Sequence, residues 1–107
     1  MDKIVVGLTE KVVINGREVI ARIDTGAHRS SICKELYSKL NLGPFVGKIK
    51  IKNVNSVEVR PTVEAELEIQ GKRIRTLFNV ADRSKMKYPL LIGQDVLKRG
   101  FLVDPSK

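Results

Sequence analysis

The residue best suited to chemistry is Asp24, which stands in the sequence Asp24-Thr25-Gly26-Ala27 directly after the strand-like segment 17–23. Gly26 allows the backbone to turn sharply after a strand, so the carboxylate is presented at the apex of a loop. The Thr25 hydroxyl can lock that loop through hydrogen bonds. A carboxylate held in this way can act as a general base on water. The alternative is an ordinary Asx-type turn, and these four residues alone do not decide between the two.

The single histidine, His28, and the single cysteine, Cys33, exclude other common arrangements. A Ser-His-Asp or Cys-His mechanism would depend on His28, and one Cys with one His is too few ligands for a tetrahedral zinc site within one chain. The two residues would meet only on a shared helix, and the Ser30-Ser31 pair indicates that a helix begins only near Cys33. We therefore expect no metal site and a semi-buried, unreactive Cys33.

The elements that position Asp24 are mostly strands. The alternating pattern is clearest over 57–69, where seven apolar residues alternate with six polar ones, and it predicts a long half-buried strand that is bent or edge-placed at Pro61. We expect about seven strands and two short helices in one domain, 1–107. The predicted strands are 11–14 and 17–23, joined by Asn15-Gly16, and then 48–52, 57–69, 73–80, 88–93 and 101–103. The predicted helices are 34–40, capped by Ser30 or Ser31, and 94–99.

Composition limits the protein class. The chain has 107 residues and a formal net charge of +8, so it is one small basic domain whose modest core would gain from association. No run approaches the roughly 18 apolar residues of a membrane-spanning helix. The N-terminus lacks a signal-peptide pattern, so we expect a cytoplasmic protein without membrane contact.

Two separated motifs together resemble the retropepsin-like aspartic proteases. These are the Asp24-Thr25-Gly26-Ala27 loop and the later apolar segment 90–92 followed by Gly93. Segments 81–93 and 101–106, with Ser30-Ser31 and Arg60-Pro61, more narrowly resemble the retropepsin-like family named ATP-dependent zinc proteases, which occurs with RimK-type glutamate ligases. The resemblance covers nearly the whole chain.

The resemblance implies a mostly β, closed-barrel acid-protease fold with one or two short helices, acting as one subunit of a twofold dimer. It makes Asp24, Thr25 and Gly26 the catalytic loop, with Thr25 linking the two loops at the dimer axis. The implied substrate-binding residues lie in the cleft and in a short flap-like turn. They are Ala27, His28, Arg29, Asn53, Val54, Asn55, Leu91 and Ile92.

Aspartic peptidases need two carboxylates that share one proton, and this chain has one such loop. No other aspartate precedes a Thr-Gly pair, so a competent site pairs Asp24 with Asp24 of a second copy. Two carboxylates that share one proton lie about 3 Å apart and cannot both ionise readily. This predicts a bell-shaped dependence of activity on pH. No Gly-x-x-x-x-Gly-Lys phosphate loop is present, so we expect no ATP. The single histidine leaves too few zinc ligands, so we also expect no zinc, and we expect no other cofactor.

The positive charge of the chain predicts the kind of substrate, and two alternative functions stay open. His28, Arg29 and Arg22 with the net charge of +8 favour acidic peptides, and the glutamate-ligase association suggests glutamate-rich ones. A non-catalytic dimer that binds peptides or organises a partner would have the same fold. A main role in nucleic-acid binding is less favoured, because three Phe, two Tyr and no Trp supply few stacking platforms.

Overall fold

The computed structural model describes residues 2–52, 54–82 and 86–107. The mostly β fold predicted from the sequence is confirmed, with nine strands and two helices in those ranges. The elements are β1 (Ile4–Val6), β2 (Thr9–Ile14), β3 (Arg17–Ile23), β4 (Ser31–Cys33), α1 (Lys34–Leu40), β5 (Gly47–Lys52), β6 (Val57–Ile69), β7 (Lys72–Ala81), β8 (Leu90–Ile92), α2 (Gln94–Leu97) and β9 (Phe101–Val103).

Six strands close into a barrel in the order β2-β3-β8-β4-β7-β6, because β2 pairs with both β3 and β6. Strand β5 extends the sheet beyond β6, and β1 and β9 form a separate parallel pair. The barrel encloses apolar side chains from most of its strands. The largest fully buried ones include Phe78, Ile14, Ile32, Leu67, Ile69, Leu90 and Ile92.

Two hairpins are set by turns whose central residues have left-handed backbone angles. Asn15 and Gly16 join β2 to β3 with φ of 48° and 82°, and Gln70 and Gly71 join β6 to β7 with φ of 47° and 84°. Two consecutive residues with positive φ give the turn whose twist matches that of paired strands. The local sequence therefore suffices to place both turns.

Strand β6 changes its buried face near Pro61. From Val63 onward the apolar residues are buried, as the alternation predicts. In the first part of the strand the apolar Val57 and Val59 are instead exposed, while Glu58 and Arg60 are partly buried. The reason is that this part pairs with β5 in a hairpin that leaves the barrel, so its polar face turns toward a cleft and its apolar face toward solvent.

Both helices differ from the sequence prediction at one end. The N-cap of α1 is Cys33, whose Sγ accepts a hydrogen bond from the Leu36 N–H at 3.4 Å, and not Ser30 or Ser31. Ser31 begins β4, where it pairs with Asn79 of β7. Helix α2 ends at Leu97, two residues before the predicted end, because Arg99 N–H already bonds to Val96 in a tighter turn. None of the helices in the described ranges has the length and hydropathy to span a membrane.

Candidate active site

The loop that carries Asp24 begins at the end of β3 and is held by backbone hydrogen bonds. The Asp24 N–H donates to the Ile92 carbonyl at 2.9 Å, which ties the loop to β8. Oδ1 of Asp24 accepts from the Gly26 N–H at 2.9 Å, and the Ala27 N–H donates to the Asp24 carbonyl at 3.3 Å. The carboxylate is therefore oriented by its own loop, at a partly buried position.

Gly93 and the first turn of α2 support this loop from below. A Cβ atom on Gly93 would lie 2.7 Å from the Arg29 carbonyl oxygen and 2.8 Å from that of Ala27, so only glycine fits there. Next along the chain, the Gln94 N–H donates to the Ala27 carbonyl at 2.8 Å, and its Nε2 donates to the Thr25 carbonyl at 2.7 Å. The two sequence motifs are thus in direct contact.

Asp95 is a supporting residue that the sequence analysis did not assign to the site. Its carboxylate accepts from the Ser30 N–H at 3.1 Å and from the Ser30 hydroxyl at 2.8 Å. The Ser30 oxygen in turn accepts from the Gly93 N–H at 3.0 Å. This fully buried serine links α2 to the end of the Asp24 loop. The only sequence feature that could have indicated this role was an acidic residue two positions after Gly93.

A cleft of about 900 Å³ opens in front of the loop. Many of the residues predicted from the sequence to form the site line it, namely Asp24, Gly26, Ala27, His28, Arg29 and Leu91. Thr25 is exposed at the surface beside them. Ile92 does not line the cleft, because its side chain is fully buried in the barrel core. The Ile92 backbone carbonyl, which accepts from the Asp24 N–H, is its link to the site.

Two of the predicted flap residues, Val54 and Asn55, do not line the cleft. Val54, whose side chain is 99% exposed, and Asn55 form the tip of the hairpin between β5 and β6. Asn53 lies outside the described residues. The inner face of this hairpin reaches the cleft through Ile51 and Arg60.

Arg60 and Asn79 are site residues that the sequence analysis missed. Arg60 donates from Nη1 to Oδ1 of Asn79 at 3.0 Å and from Nη2 to Oε2 of Glu58 at 3.0 Å. Both Arg60 and Asn79 line the cleft, together with Ser31. The placement of Arg60 on the polar face of a long strand was visible in the sequence, but the pairing with Asn79 was not.

Most of the charged side chains that line the cleft are basic. Besides His28, it includes the cations Arg29, Lys50, Lys52 and Arg60. Asp24 is the only acidic side chain among the described lining residues. Arg22, which the sequence analysis counted toward the positive charge of the cleft, is exposed elsewhere on β3 and does not line it.

In the ranges that the structure covers, no group of three or more His, Cys, Asp or Glu residues could hold a metal ion.

Residues 11–99 match the model of the family described as "gag-polyprotein putative aspartyl protease". The chain belongs to this aspartyl protease family. The matched range covers the Asp24 loop, the β5–β6 hairpin and the segment with Gly93. No curated protein sequence matches the chain.

Solved structures share the fold of this aspartyl protease homologue. EIAV protease in complex with the inhibitor HBY-793 is 25% identical, with a TM-score of 0.71 and 84% of each chain covered. The Simian foamy virus (mac) protease is 13% identical, with a TM-score of 0.65, covering 84% of this chain and 91% of the viral one. Protein Lpg0085 of Legionella pneumophila subsp. pneumophila str. Philadelphia 1, of unknown function (DUF785), is 20% identical, with a TM-score of 0.68, covering 97% of this chain and 95% of the other. The fold is retropepsin-like.

Proposed function

We propose that the chain is an aspartic endopeptidase that acts as a homodimer, with Asp24 from each subunit activating water for peptide-bond hydrolysis. The observation that carries this proposal is the position of Asp24, in a hydrogen-bonded Asp-Thr-Gly loop at a cleft, in a member of an aspartyl protease family. The narrower resemblance to the ATP-dependent zinc protease family belongs to the same proposal, without its ATP or zinc chemistry.

A second copy is needed because the reaction uses two carboxyl groups. The ionised carboxylate takes a proton from water, and the resulting oxygen attacks the peptide carbonyl carbon while the other, protonated, carboxyl donates its proton to the carbonyl oxygen. The tetrahedral intermediate then collapses: the first carboxyl gives the proton it took from water to the nitrogen as the C–N bond breaks, and the other carboxylate regains a proton from a hydroxyl of the intermediate, so the pair again shares one proton. Since Asp24 is the sole carboxylate among the described lining residues of the cleft, the partner subunit's Asp24 supplies the second group.

Exposed residues beside the loop fit such a twofold contact. Thr25 is exposed next to Asp24. Leu8, whose carbonyl accepts a hydrogen bond from the Ile23 N–H at 2.9 Å, lies at the base of the loop and is 54% exposed. A dimer around Thr25 would cover this apolar side chain, which gives association a hydrophobic contribution.

The substrate in this proposal is an acidic or glutamate-rich peptide. The cations that line the cleft favour negatively charged chains by long-range attraction and by direct contact. The attraction weakens with added salt, because exposed charges are screened over about 10 Å at 0.1 M ionic strength.

The test compares wild type with Asp24→Asn on a glutamate-rich peptide and on an unbiased peptide mixture. Both are incubated between about pH 3 and pH 8, the range in which a carboxyl pair titrates, with a chelator, and cuts are identified by mass spectrometry. We expect cuts by wild type only, with a bell-shaped pH profile. Sedimentation equilibrium measures the dimer in parallel. Equal cutting by both proteins would show that Asp24 is not catalytic, and a dimer that binds but never cuts would favour the peptide-binding module.

A further inference from the structure

Arg60 lies where the β5–β6 hairpin leaves the barrel, in the wall of the cleft that also contains Asp24. Its side chain is only 20% exposed, although it carries a full positive charge. Two of its nitrogens donate to neighbours, Nη1 to Asn79 and Nη2 to Glu58. Its Nε is buried and has no hydrogen-bond partner among the described residues. A buried donor without an acceptor is unfavourable, so an acceptor that reached Nε would be bound favourably there.

The guanidinium is held in place by a polar cluster connected to the catalytic loop. Asn79 is buried, and its Nδ2 donates to the Ser30 carbonyl at 3.0 Å. Its Oδ1 accepts from the Ser31 hydroxyl at 2.8 Å as well as from Arg60. These contacts orient the amide oxygen of Asn79 toward Arg60. Since Ser30 and Ser31 directly follow the catalytic loop, the position of Arg60 is coupled to that loop.

The open donor lies on the edge of the guanidinium that suits a carboxylate. The Nε–H and one Nη2–H point the same way and can donate, side by side, to the two oxygens of one carboxylate. Glu58 contacts Nη2 through Oε2 and leaves Nε unpaired. The Glu58 side chain is 40% exposed, so water can solvate its carboxylate when it moves aside. A carboxylate that engages both Nε and Nη2 of Arg60 makes one more charged hydrogen bond to the guanidinium than Glu58 does.

We propose that Arg60 binds a carboxylate side chain of the substrate, and that Glu58 is the internal carboxylate which the substrate displaces. The proposal rests on the proposed peptidase function and names the residue that selects the acidic side chain. Arg29, Lys50 and Lys52 line the same cleft and add attraction, but they are exposed. Arg60 differs from them because it is mostly buried and is oriented by the buried Asn79, which is what a specific bidentate contact requires.

The test measures binding and hydrolysis with two labelled peptides, one glutamate-rich and one in which every glutamate is glutamine. Binding is measured by fluorescence anisotropy in an Asp24→Asn background, where no cleavage occurs. Hydrolysis is measured as kcat/KM with Asp24 intact. In both assays the quantity of interest is the preference for the glutamate peptide over the glutamine peptide.

We expect Arg60→Met to lower that preference by about tenfold to a hundredfold, the range for a hydrogen-bonded charge. Arg60→Lys keeps the charge without the planar fork, so it should lower the preference by a smaller factor. Lys48→Met removes one charge from the same hairpin at an exposed position that does not line the cleft, and it should leave the preference unchanged. Glu58→Gln removes the internal competitor and should raise the preference.

The outcomes separate this proposal from the peptidase proposal. An unchanged preference in both Arg60 variants, or an equal loss in Lys48→Met, would overturn the role of Arg60 even if the wild type cuts peptides. A lower preference in Glu58→Gln would overturn the displacement by substrate. If no protein cuts any peptide, the peptidase proposal fails, and the binding preference alone decides on Arg60. If Arg60→Met does not fold, Arg60→Lys decides.

Discussion

Replacing Gly93 with alanine tests the contact between the two motifs of the active site. The added Cβ would lie 2.7 Å and 2.8 Å from two carbonyl oxygens of the catalytic loop, whereas real Cβ atoms stay beyond 3.0 Å. Both obstacles are backbone atoms, so the loop itself must move by a few tenths of an ångström. The φ of Gly93 is −104°, which alanine also adopts, so the effect is one of space alone.

The expected loss of stability follows from two opposing terms. Overpacking a close contact lowers the free energy of unfolding by about 1–3 kcal/mol. The lower conformational entropy of the unfolded alanine variant raises it by about 0.4–1 kcal/mol. We therefore expect the free energy of unfolding to fall by about 1–2 kcal/mol, which lowers Tm by roughly 5–15 °C in a domain of this size. Displacing the Asp24 loop by part of an ångström should also reduce kcat about tenfold.

Urea and thermal unfolding measure the first effect, and peptide hydrolysis measures the second. Gly47→Ala is the matched control, since its Cβ would approach only one atom, the side-chain oxygen of Thr62 at 3.2 Å, and a shift of a few tenths of an ångström relieves that contact. We expect its unfolding free energy to stay within about 1 kcal/mol of wild type. If Gly93→Ala is as stable and active as wild type, or if Gly47→Ala loses as much stability, the steric reasoning is refuted.

Two further substitutions probe polar contacts. Asp95→Ala removes both acceptors of the buried Ser30, so it should lower the free energy of unfolding, measured by urea titration, by about 1–3 kcal/mol. Asp95→Asn keeps one acceptor oxygen and should lose less stability. An unchanged urea midpoint in Asp95→Ala would contradict this prediction. The hydroxyl and N–H of Ser106 lower the pKa of Asp104 below its usual range, so this contact stabilises the fold above the unfolded-state pKa and the effect disappears as pH falls through the lowered one. Ser106→Ala should raise the Asp104 pKa in an NMR titration, and an unshifted curve would exclude the hydroxyl as its main cause.

Features encoded in short stretches of sequence were predicted well. The Asn15-Gly16 turn, the full extent of Val57–Ile69 and the last strand, Phe101–Val103, appear where the sequence placed them. Backbone preference and side-chain alternation act between adjacent residues, so a local pattern suffices to predict them. The predicted cap of the first helix was wrong because it depends on a residue distant in the chain. Ser31 has the chemistry of a cap, but its strand pairing with distant Asn79 overrides that preference.

The buried faces of β6 also depend on distant partners. Alternation shows that residues on either side of Pro61 are separated into apolar and polar sets, but not which set faces inward. The barrel buries the apolar set after Val63, and the hairpin with β5 turns the polar set toward the cleft before Pro61. The position of each strand in the sheet decides this, and position is a tertiary property.

The sequence by itself identified the residue best suited to chemistry, Asp24. The Asp-Thr-Gly-Ala loop and a later glycine after an apolar strand, through their resemblance to the retropepsin-like proteases, sufficed to predict the fold and an aspartate in its cleft, because each signal lies in a few consecutive residues. Only the tertiary structure joined Ser30 to Asp95 and Arg60 to Asn79, pairs from strands or helices far apart in the chain. Their contacts arise when parallel and antiparallel strands close the barrel, and no local pattern records which distant residues that closure brings together.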